Sequence, residues 1–248
     1  MAAIDHWIWI IICPIIAYFI GSIPFSYIIA KWRTGEDLRK TGLGNVGGLN
    51  VMVKSGFNWG LLAGGLDFYK GLATIIAVLA IPFDNTPLAC AGKYWEITKH
   101  NLIYIFVAMA VILGHNYPIF LKFQGGRGIA VTVSFLVLTN PLLLLIFIFS
   151  MAVFLALTRY VRPSQFLAIF IGTPIAFFLR FSPPWMVLTH MSNPFITGLF
   201  VIGISLAIFP KYLMAFIGMF KGTEYQIGKK GGIIIKDTNK ESTKNGSI

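Results

Sequence analysis

Long apolar segments dominate this chain and restrict it to a fold that can cross a bilayer. In lipid the backbone must satisfy its own hydrogen bonds, and a helix needs about 20 apolar residues to span the hydrocarbon core. The segments predict an all-α integral membrane protein with about seven transmembrane helices, at residues 7–30, 58–82, 101–114, 128–139, 141–158, 164–181 and 194–219. The third and fourth segments are short, which favours tilted helices or half-helices beside a loop buried in protein.

The charged residues indicate which side of the membrane each connection faces. Only 12% of the 248 residues are charged, against about 25% in soluble domains, so the charges mark connections. One set of connections collects Lys31, Arg33, Arg39, Lys40, Lys54, Lys122, Arg127, Arg159 and Arg162. The opposite set holds Lys93, Lys99 and Arg180. Because basic residues favour the cytoplasm, we predict an outside N-terminus, a cytoplasmic C-terminus and a multi-pass protein of the plasma membrane.

Length and composition limit the domain organisation and the functional class. We predict one membrane domain at residues 1–221 and a basic, partly disordered cytoplasmic tail at residues 222–248. The net charge of +11 reflects topology, because the basic residues form no single aromatic-interleaved patch for nucleic acid. Cys13 and Cys90 offer no disulfide framework, and the 4 histidines have no metal-ligand spacing. We therefore predict no metal site and no nucleic-acid partner.

Two glycine-rich loops are the strongest functional signal. The first occupies residues 42–50, and the second is Gly125-Gly126-Arg127-Gly128. Both are predicted on the cytoplasmic face, where an apolar segment ends and basic residues gather. Glycines allow backbone N–H groups to converge on an anion, and Arg39 or Arg127 can neutralise it. The first loop also fits G-x-G-x-x-G, but a dinucleotide site needs a preceding strand, so that match is coincidental. The pattern predicts a phosphorylated substrate at the bilayer surface.

Several stretches occur in an order that is specific to a known family. They are Gly21-Ser22-Ile23-Pro24-Phe25, Asp37-Leu38-Arg39-Lys40-Thr41-Gly42-Leu43-Gly44-Asn45-Val46-Gly47-Gly48-Leu49-Asn50, Leu66-Asp67-Phe68-Tyr69-Lys70-Gly71, residues 114–130 and Gly222-Thr223-Glu224. They resemble the motifs of the acyl-phosphate-dependent glycerol-3-phosphate acyltransferases, the PlsY family. The resemblance covers nearly the whole chain.

That resemblance implies seven helices and a defined reaction. A fatty acyl group is transferred from acyl phosphate to the sn-1 hydroxyl of glycerol 3-phosphate, which gives lysophosphatidic acid and phosphate in phospholipid biosynthesis. No cofactor is implied, since the family needs neither coenzyme A, acyl carrier protein nor a metal. The expected partners are acyl phosphate, glycerol 3-phosphate, membrane lipid and, as a further candidate, an enzyme that produces acyl phosphate. Because acyl phosphate has a good leaving group, proximity and electrostatics suffice without a protein nucleophile.

The predicted site residues come mainly from the two loops. By the resemblance, the catalytic candidates are Asn45, His115 and Arg127, with His115 as a candidate general base for the glycerol hydroxyl. The predicted phosphate contacts are Arg39, Gly44, Gly47, Asn50, Lys70, Gly125, Gly126 and Gly128.

Structural roles for some of these residues are also consistent with the sequence. Asn45 and Asn50 suit helix caps or left-handed turns. Lys70 lies one helical turn after Asp67 in an apolar segment, so the two suit an ion pair that locks helices together. His115 suits support of a loop. Glu224, which follows the last predicted helix, suits a pair with a basic loop residue.

Departures from the family pattern leave the substrate open. Leu43 and Arg162 each replace a serine, Gly48-Leu49 replaces alanine and threonine, and residues 209–218 are largely apolar instead of basic. Arg162 is a candidate replacement cation. Three hypotheses follow: an acyltransferase of the family's specificity, a paralogue with a shifted phosphorylated donor or acceptor, and a non-catalytic protein that binds phospholipid or a partner enzyme. The intact Gly125-Gly126-Arg127-Gly128 argues against the third.

Overall fold

The described part of the chain is almost entirely helical. The computed structural model describes residues 7–81, 87–89, 97–179, 193–222, 224, 226–227 and 233–234. Within them the helices are α1 (Trp7–Ser22), α2 (Phe25–Thr34), α3 (Gly48–Ser55), α4 (Phe57–Leu79), α5 (Lys99–Asn116), α6 (Ile129–Thr139), α7 (Pro141–Thr158), α8 (Val161–Phe178) and α9 (Pro194–Phe220). A short 3₁₀ helix, Ile119–Leu121, follows α5. Two short antiparallel pairs join β1 (Pro87–Ala89) to β2 (Ile97–Thr98) and β3 (Gln226–Ile227) to β4 (Ile233–Ile234). Most of the predicted tail, residues 222–248, lies outside the described residues.

Six helical stretches among the described residues are long and apolar enough to cross a membrane. They are Trp7–Thr34, Phe57–Leu79, Lys99–Leu121, Pro141–Thr158, Val161–Phe178 and Pro194–Phe220. The remaining predicted segment, residues 128–139, forms α6, which has 11 residues. Such a helix is about 16 Å long, roughly half the thickness of the hydrocarbon core. The predicted count of about seven full spans is therefore not confirmed, because one of the seven segments is a half-length helix beside the second glycine loop.

A proline divides the first span into two helices. Helix α1 ends at Ser22, and α2 begins at Phe25, directly after Pro24. Proline has no N–H, and its ring clashes with the preceding turn, so the helical hydrogen-bond ladder is interrupted here. The interruption makes the carbonyl oxygens of Gly21 and Ile23 accessible to a side chain from another helix.

Local capping signals set the starts of three helices. Thr98 and Asn101 form a reciprocal capping box at the start of α5. The side-chain oxygen of Asn140 accepts hydrogen bonds from the first turn of α7, and Asn193 does the same for α9. In both α7 and α9 a proline occupies the first helical position, where its missing N–H has no consequence.

Helix α5 lies at the centre of the bundle, between α1, α4 and α9. Its approach to α1 is so close that a Cβ on Gly21 would overlap the Val111 carbonyl, and one on Gly114 would overlap the Tyr18 carbonyl. Small residues at such crossings allow two membrane helices to bring their backbones together. The tight contact fixes the end of α5, where His115 and Asn116 lie, relative to α1.

Candidate active site

The two glycine-rich loops meet at the end of α5. Gly126 N donates to the His115 carbonyl at 2.9 Å, and Gly125 N donates to the Asn116 carbonyl at 3.2 Å. Gly126 also lies against the first loop, since a Cβ at this position would overlap both the Val46 carbonyl oxygen and the His115 imidazole. The second loop is thus fastened to α5 and packed against the first.

This close packing makes Gly126 the position where a small substitution should have a large structural effect. We expect Gly126→Ala to destabilise the protein by about 1–3 kcal/mol, because the new methyl group forces His115 or the first loop to move. The melting temperature of the protein in detergent measures the loss. Gly172→Ala is the matched control: no atom lies within 4 Å of its added Cβ, and alanine is the better helix former. Equal melting temperatures for the two variants would contradict the packing described here.

Arg39 joins the segment before the first loop to the 3₁₀ helix that precedes the second loop. Its Nε donates to Asp37 Oδ1 at 2.9 Å, and its Nη1 donates to the Leu121 carbonyl at 3.3 Å. The hydrogen bonds from Arg39 lower the pKa of the Asp37 carboxyl to about 2, so the pair stays ionised at neutral pH. The structure therefore assigns Arg39 a structural contact where a phosphate contact was predicted.

Asn50 organises the first loop from within. Its side chain is fully buried: Oδ1 accepts from Leu43 N at 2.8 Å, and Nδ2 lies 2.8–3.1 Å from the carbonyl oxygens of Leu38, Thr41 and Asn45. The predicted phosphate contact by Asn50 is thus replaced by support of the loop, the alternative role that asparagine beside glycine commonly has. Gly42 and Gly44 adopt positive φ angles of 60° and 65° in the same loop.

A cavity of about 320 Å³, the site cavity, opens beside the two loops. Loop residues before α3, helix α4, the end of α5 and the starts of α6 and α8 form its wall, together with α9. The predicted site residues that line it are Asn45, Gly47, His115, Arg127 and Gly128. Those that lie outside it are Arg39, Gly44, Asn50, Lys70, Gly125 and Gly126.

The start of α6 gives the site cavity its anion-binding character. Gly128 has a φ of 82° and precedes the helix, and Ile129 and Ala130 at the first turn line the cavity. Amide N–H groups in a first helical turn have no partner within the helix and attract anions. Arg127 adds a guanidinium at the same wall. Across from these, Asn45 Oδ1 is buried without a hydrogen-bond partner among the described residues, so it can accept a bond from a ligand hydroxyl.

A buried network of charged groups lies behind the site cavity. Asp67 and Lys70 on α4 are each 2% exposed, and Lys70 Nζ is 3.0 Å from Asp67 Oδ1. Ser26 Oγ donates to Asp67 Oδ2 at 2.8 Å. Lys70 Nζ also donates to the carbonyls of Gly21 and Ile23, at 2.9 and 3.2 Å, where the first span is broken.

These contacts decide between the two roles that the sequence leaves open for Lys70. An ammonium group has three N–H donors, and here one carboxylate and two carbonyls engage them. The predicted ion pair with Asp67, which ties α4 to the first span, is confirmed, and this arrangement leaves Lys70 no N–H for the predicted phosphate contact.

His115 connects this network to the site cavity. Its Nδ1 is 3.5 Å from Asp67 Oδ1, and both residues line the cavity. A carboxylate on the Nδ1 side of an imidazole favours the proton there, which makes Nε2 the acceptor nitrogen. His115 also supports the second loop through its carbonyl oxygen. The geometry is thus compatible with both predicted roles of His115, proton acceptance and loop support. Within the described residues, no three histidine, cysteine or acidic side chains group as a metal site would require.

The site cavity is also lined by residues that no sequence pattern brought together. Arg162, at the start of α8, lines the site cavity, and its Nε contacts Glu224 Oε1. The predicted pairing of Glu224 with a basic residue is thereby confirmed. Tyr212 Oη donates to Gln165 Oε1 at 3.1 Å, and both residues line the cavity. Neither Gln165 nor Tyr212 belongs to a glycine loop, so no sequence motif identified them as site residues.

The structure separates the two positions where the family hydroxyls are replaced by leucine. Leu49 is 42% exposed and lines the site cavity. Leu43 is buried, and only its backbone N–H is engaged, by Asn50. The replacement of a hydroxyl side chain by leucine therefore alters the wall of the site cavity at residue 49 and not at residue 43.

A second, apolar cavity of about 430 Å³ lies between α8 and α9. We call it the apolar groove. Its lining includes Phe166, Ile169, Phe170, Leu206 and Phe209, and Tyr212 lines both this groove and the site cavity. A ligand with a charged head and a hydrocarbon tail can therefore occupy two adjoining spaces of matching polarity.

The fold and these cavities define a helical membrane protein in which an arginine-lined cavity adjoins an apolar groove. A family model described as glycerol-3-phosphate acyltransferase matches residues 11–221. The chain belongs to the glycerol-3-phosphate acyltransferase family, as the motif resemblance predicts. A glycerol-3-phosphate acyltransferase of Desulforamulus reducens is 31% identical over 214 residues, which is 86% of this chain and 93% of that protein. Another, of a Thermoanaerobacter species, is 33% identical over 220 residues, or 89% and 96%.

Solved structures support the same membership and confirm the predicted all-α integral membrane fold. The chain is similar to the crystal structure of PlsY, an integral membrane glycerol 3-phosphate acyltransferase, in its glycerol 3-phosphate form. The TM-score is 0.68 at 27% identity, over 89% of this chain and 96% of that one. A lysophosphatidic acid form of PlsY gives a TM-score of 0.66 at 25% identity, over 90% and 97%.

Proposed function

We propose that this chain transfers a fatty acyl group from acyl phosphate to the sn-1 hydroxyl of glycerol 3-phosphate. The products are lysophosphatidic acid and phosphate, and the reaction belongs to phospholipid biosynthesis. One observation carries the proposal: in a member of the glycerol-3-phosphate acyltransferase family, a cavity with an arginine and a helix N-terminus adjoins an apolar groove. The first space suits phosphate groups, and the second suits a fatty acyl chain.

The chemistry needs alignment and charge stabilisation more than a protein nucleophile. The acceptor hydroxyl oxygen attacks the acyl carbonyl carbon, the C–O bond to phosphate breaks, and phosphate leaves with the bonding electron pair. Arg127 and the amides at the start of α6 stabilise the negative charge on phosphate. His115 Nε2 accepts the hydroxyl proton, with Asp67 holding the imidazole. Asn45 accepts a hydrogen bond from a second hydroxyl of the acceptor.

The location of the reaction follows from topology. We place the site on the cytoplasmic side of the plasma membrane, with the N-terminus outside, because the connections next to both glycine loops are rich in lysine and arginine. Glycerol 3-phosphate is water-soluble and reaches the site from that side, whereas the acyl chain enters from the bilayer. Residues 1–221 form the membrane domain of this proposal, and residues 222–248 form a cytoplasmic extension. An enzyme that supplies acyl phosphate stays a predicted partner.

A second candidate function is favoured by one position. Leu49 presents an apolar side chain to the site cavity where the resemblance gives a threonine. A methyl-rich wall there suits an acceptor with fewer hydroxyl groups than glycerol 3-phosphate, or a different phosphorylated donor. This would make the chain an acyltransferase of the same family with a shifted substrate.

One assay separates these functions. The purified protein in detergent is given palmitoyl phosphate, with glycerol 3-phosphate, with dihydroxyacetone phosphate, or with no acceptor, and released phosphate and lysolipid are measured. We expect phosphate release that depends on glycerol 3-phosphate and yields lysophosphatidic acid. Preference for dihydroxyacetone phosphate would favour the shifted acceptor. Turnover with palmitoyl coenzyme A but not palmitoyl phosphate would contradict the proposed donor, and no turnover by folded protein would contradict catalysis altogether.

A further inference from the structure

Arg162 places a guanidinium in the wall of the site cavity, and Tyr212 lines both that cavity and the apolar groove. Its side chain is 17% exposed and lines the cavity, and Glu224, only 4% exposed, contacts its Nε. A guanidinium has five N–H donors in a planar fork, so it can bind a carboxylate on one edge and a phosphate on another. A carboxylate behind an arginine also fixes the direction of the fork, which a flexible surface arginine lacks.

One face of α8 runs from this cation into the groove. The spacing of three or four residues places Arg162, Gln165, Phe166, Ile169 and Phe170 on the same side of the helix. The first two line the site cavity, and the aromatic and aliphatic members line the apolar groove. The face therefore has a charged end followed directly by hydrocarbon. That order matches a molecule whose phosphate is attached to an acyl chain, and not a small polar phosphate such as glycerol 3-phosphate.

We propose that Arg162 binds the phosphate of the acyl phosphate donor and that Glu224 positions it. This inference rests on the proposed function and specifies which residue of that site recognises the donor. Arg162 contacts the donor phosphate directly, while Glu224 acts through Arg162 and touches no substrate.

The test compares kinetic constants for the two substrates. In Arg162→Gln we expect the KM for palmitoyl phosphate to rise roughly 10- to 100-fold, because a charge-assisted contact is lost, and the KM for glycerol 3-phosphate to change less than threefold. Arg159→Gln is the matched control, since Arg159 is exposed and lies one turn earlier, outside the site cavity. It should change neither constant. An unchanged KM for palmitoyl phosphate in Arg162→Gln, or a rise confined to glycerol 3-phosphate, would overturn the proposal.

Glu224→Gln tests the positioning role. It keeps the side chain's size and removes the charge that holds Arg162, so we expect the KM for palmitoyl phosphate to rise severalfold. A purely structural role would lower the melting temperature and leave the KM of the folded fraction unchanged, which would overturn the positioning role. If Arg162→Gln does not fold, Arg162→Lys keeps the charge and loses the planar fork, and the KM for palmitoyl phosphate should still rise several times. A KM equal to that of the unsubstituted protein would then count against the contact.

A binding measurement keeps this inference separate from the proposed function. A hydrolysis-resistant palmitoyl phosphonate is titrated into the unsubstituted protein and into Arg162→Gln, without acceptor. Weaker binding by the variant supports the contact even if the protein shows no turnover, in which case only the proposed reaction fails. Equal binding by the two proteins, together with normal turnover of the unsubstituted protein, would leave the proposed reaction in place. It would contradict the contact between Arg162 and the donor phosphate.

Discussion

Replacement of Arg127 by alanine is expected to reduce acyl transfer by orders of magnitude while the protein remains folded. Arg127 lines the site cavity beside the amides at the start of α6, where charge develops on the phosphate groups. Loss of one charged donor at such a position typically reduces turnover by about 100- to 1,000-fold. Phosphate release from palmitoyl phosphate in the presence of glycerol 3-phosphate measures the effect, and the melting temperature in detergent shows that the fold persists.

Two further variants make the result specific to the position and geometry of the charge. Lys40→Ala removes an exposed cation just before the first loop, outside the site cavity, and should leave turnover unchanged. Arg127→Lys keeps the charge without the planar fork and should give an intermediate rate. Turnover by Arg127→Ala at the rate of the unsubstituted protein would remove this arginine, and with it the anion site at α6, from the mechanism.

Asp67→Ala is expected to have the largest effect on stability. The substitution leaves the Lys70 ammonium buried in the membrane domain with two carbonyl oxygens and without its counter-charge. Removal of one partner from a buried ion pair typically costs about 3–5 kcal/mol. The apparent melting temperature and the yield of folded protein in detergent report the loss.

The double variant Asp67→Ala with Lys70→Met distinguishes an uncompensated charge from a simple loss of contacts. With both charges absent, no ammonium is left unpaired, so we expect the double variant to recover more than half of the stability lost by Asp67→Ala. A double variant no more stable than the single one would indicate that the hydrogen bond from Ser26, rather than the ion pair, stabilises this region. Activity is not the readout here, because Asp67 also lines the site cavity.

The span positions could be predicted from the sequence because they depend on local composition. A run of apolar residues long enough to cross the bilayer has few other conformations than a membrane-spanning helix. Among the described residues, six of the predicted segments lie in helical stretches of that length. The half-length α6 also follows from its short segment, but the other short segment, 101–114, belongs to the 18-residue helix α5. The break at Pro24 lies inside the predicted segment 7–30 and was not anticipated there, although proline is the residue that interrupts helices.

The roles of individual polar side chains could be predicted only in part. The motif resemblance places Asn50 and Lys70 near the site, but it does not show their partners. Asn50 donates to carbonyl oxygens in and just before its own loop, and Lys70 donates to carbonyl oxygens of the first span. No single-sequence pattern states where those carbonyls lie. The contact between Arg162 and Glu224 has the same origin, because it joins the start of α8 to a residue beyond α9. Of the second glycine loop, Arg127 and Gly128 line the cavity, whereas Gly125 and Gly126 lie outside it.

The pairing of Asp67 and Lys70 within α4 has a consequence for how the protein enters the membrane. An isolated charged side chain at the centre of an inserting helix costs about 2.5–3.5 kcal/mol. Because the two residues lie one turn apart, α4 neutralises its own charges during biogenesis, before α5 is synthesised. The carbonyl oxygens of Gly21 and Ile23, which accept hydrogen bonds from Lys70, belong to the first span, and that span leaves the ribosome before α4. The Asp67–Lys70 pair is therefore neutral before α5 is made, and His115 joins a network that is already assembled.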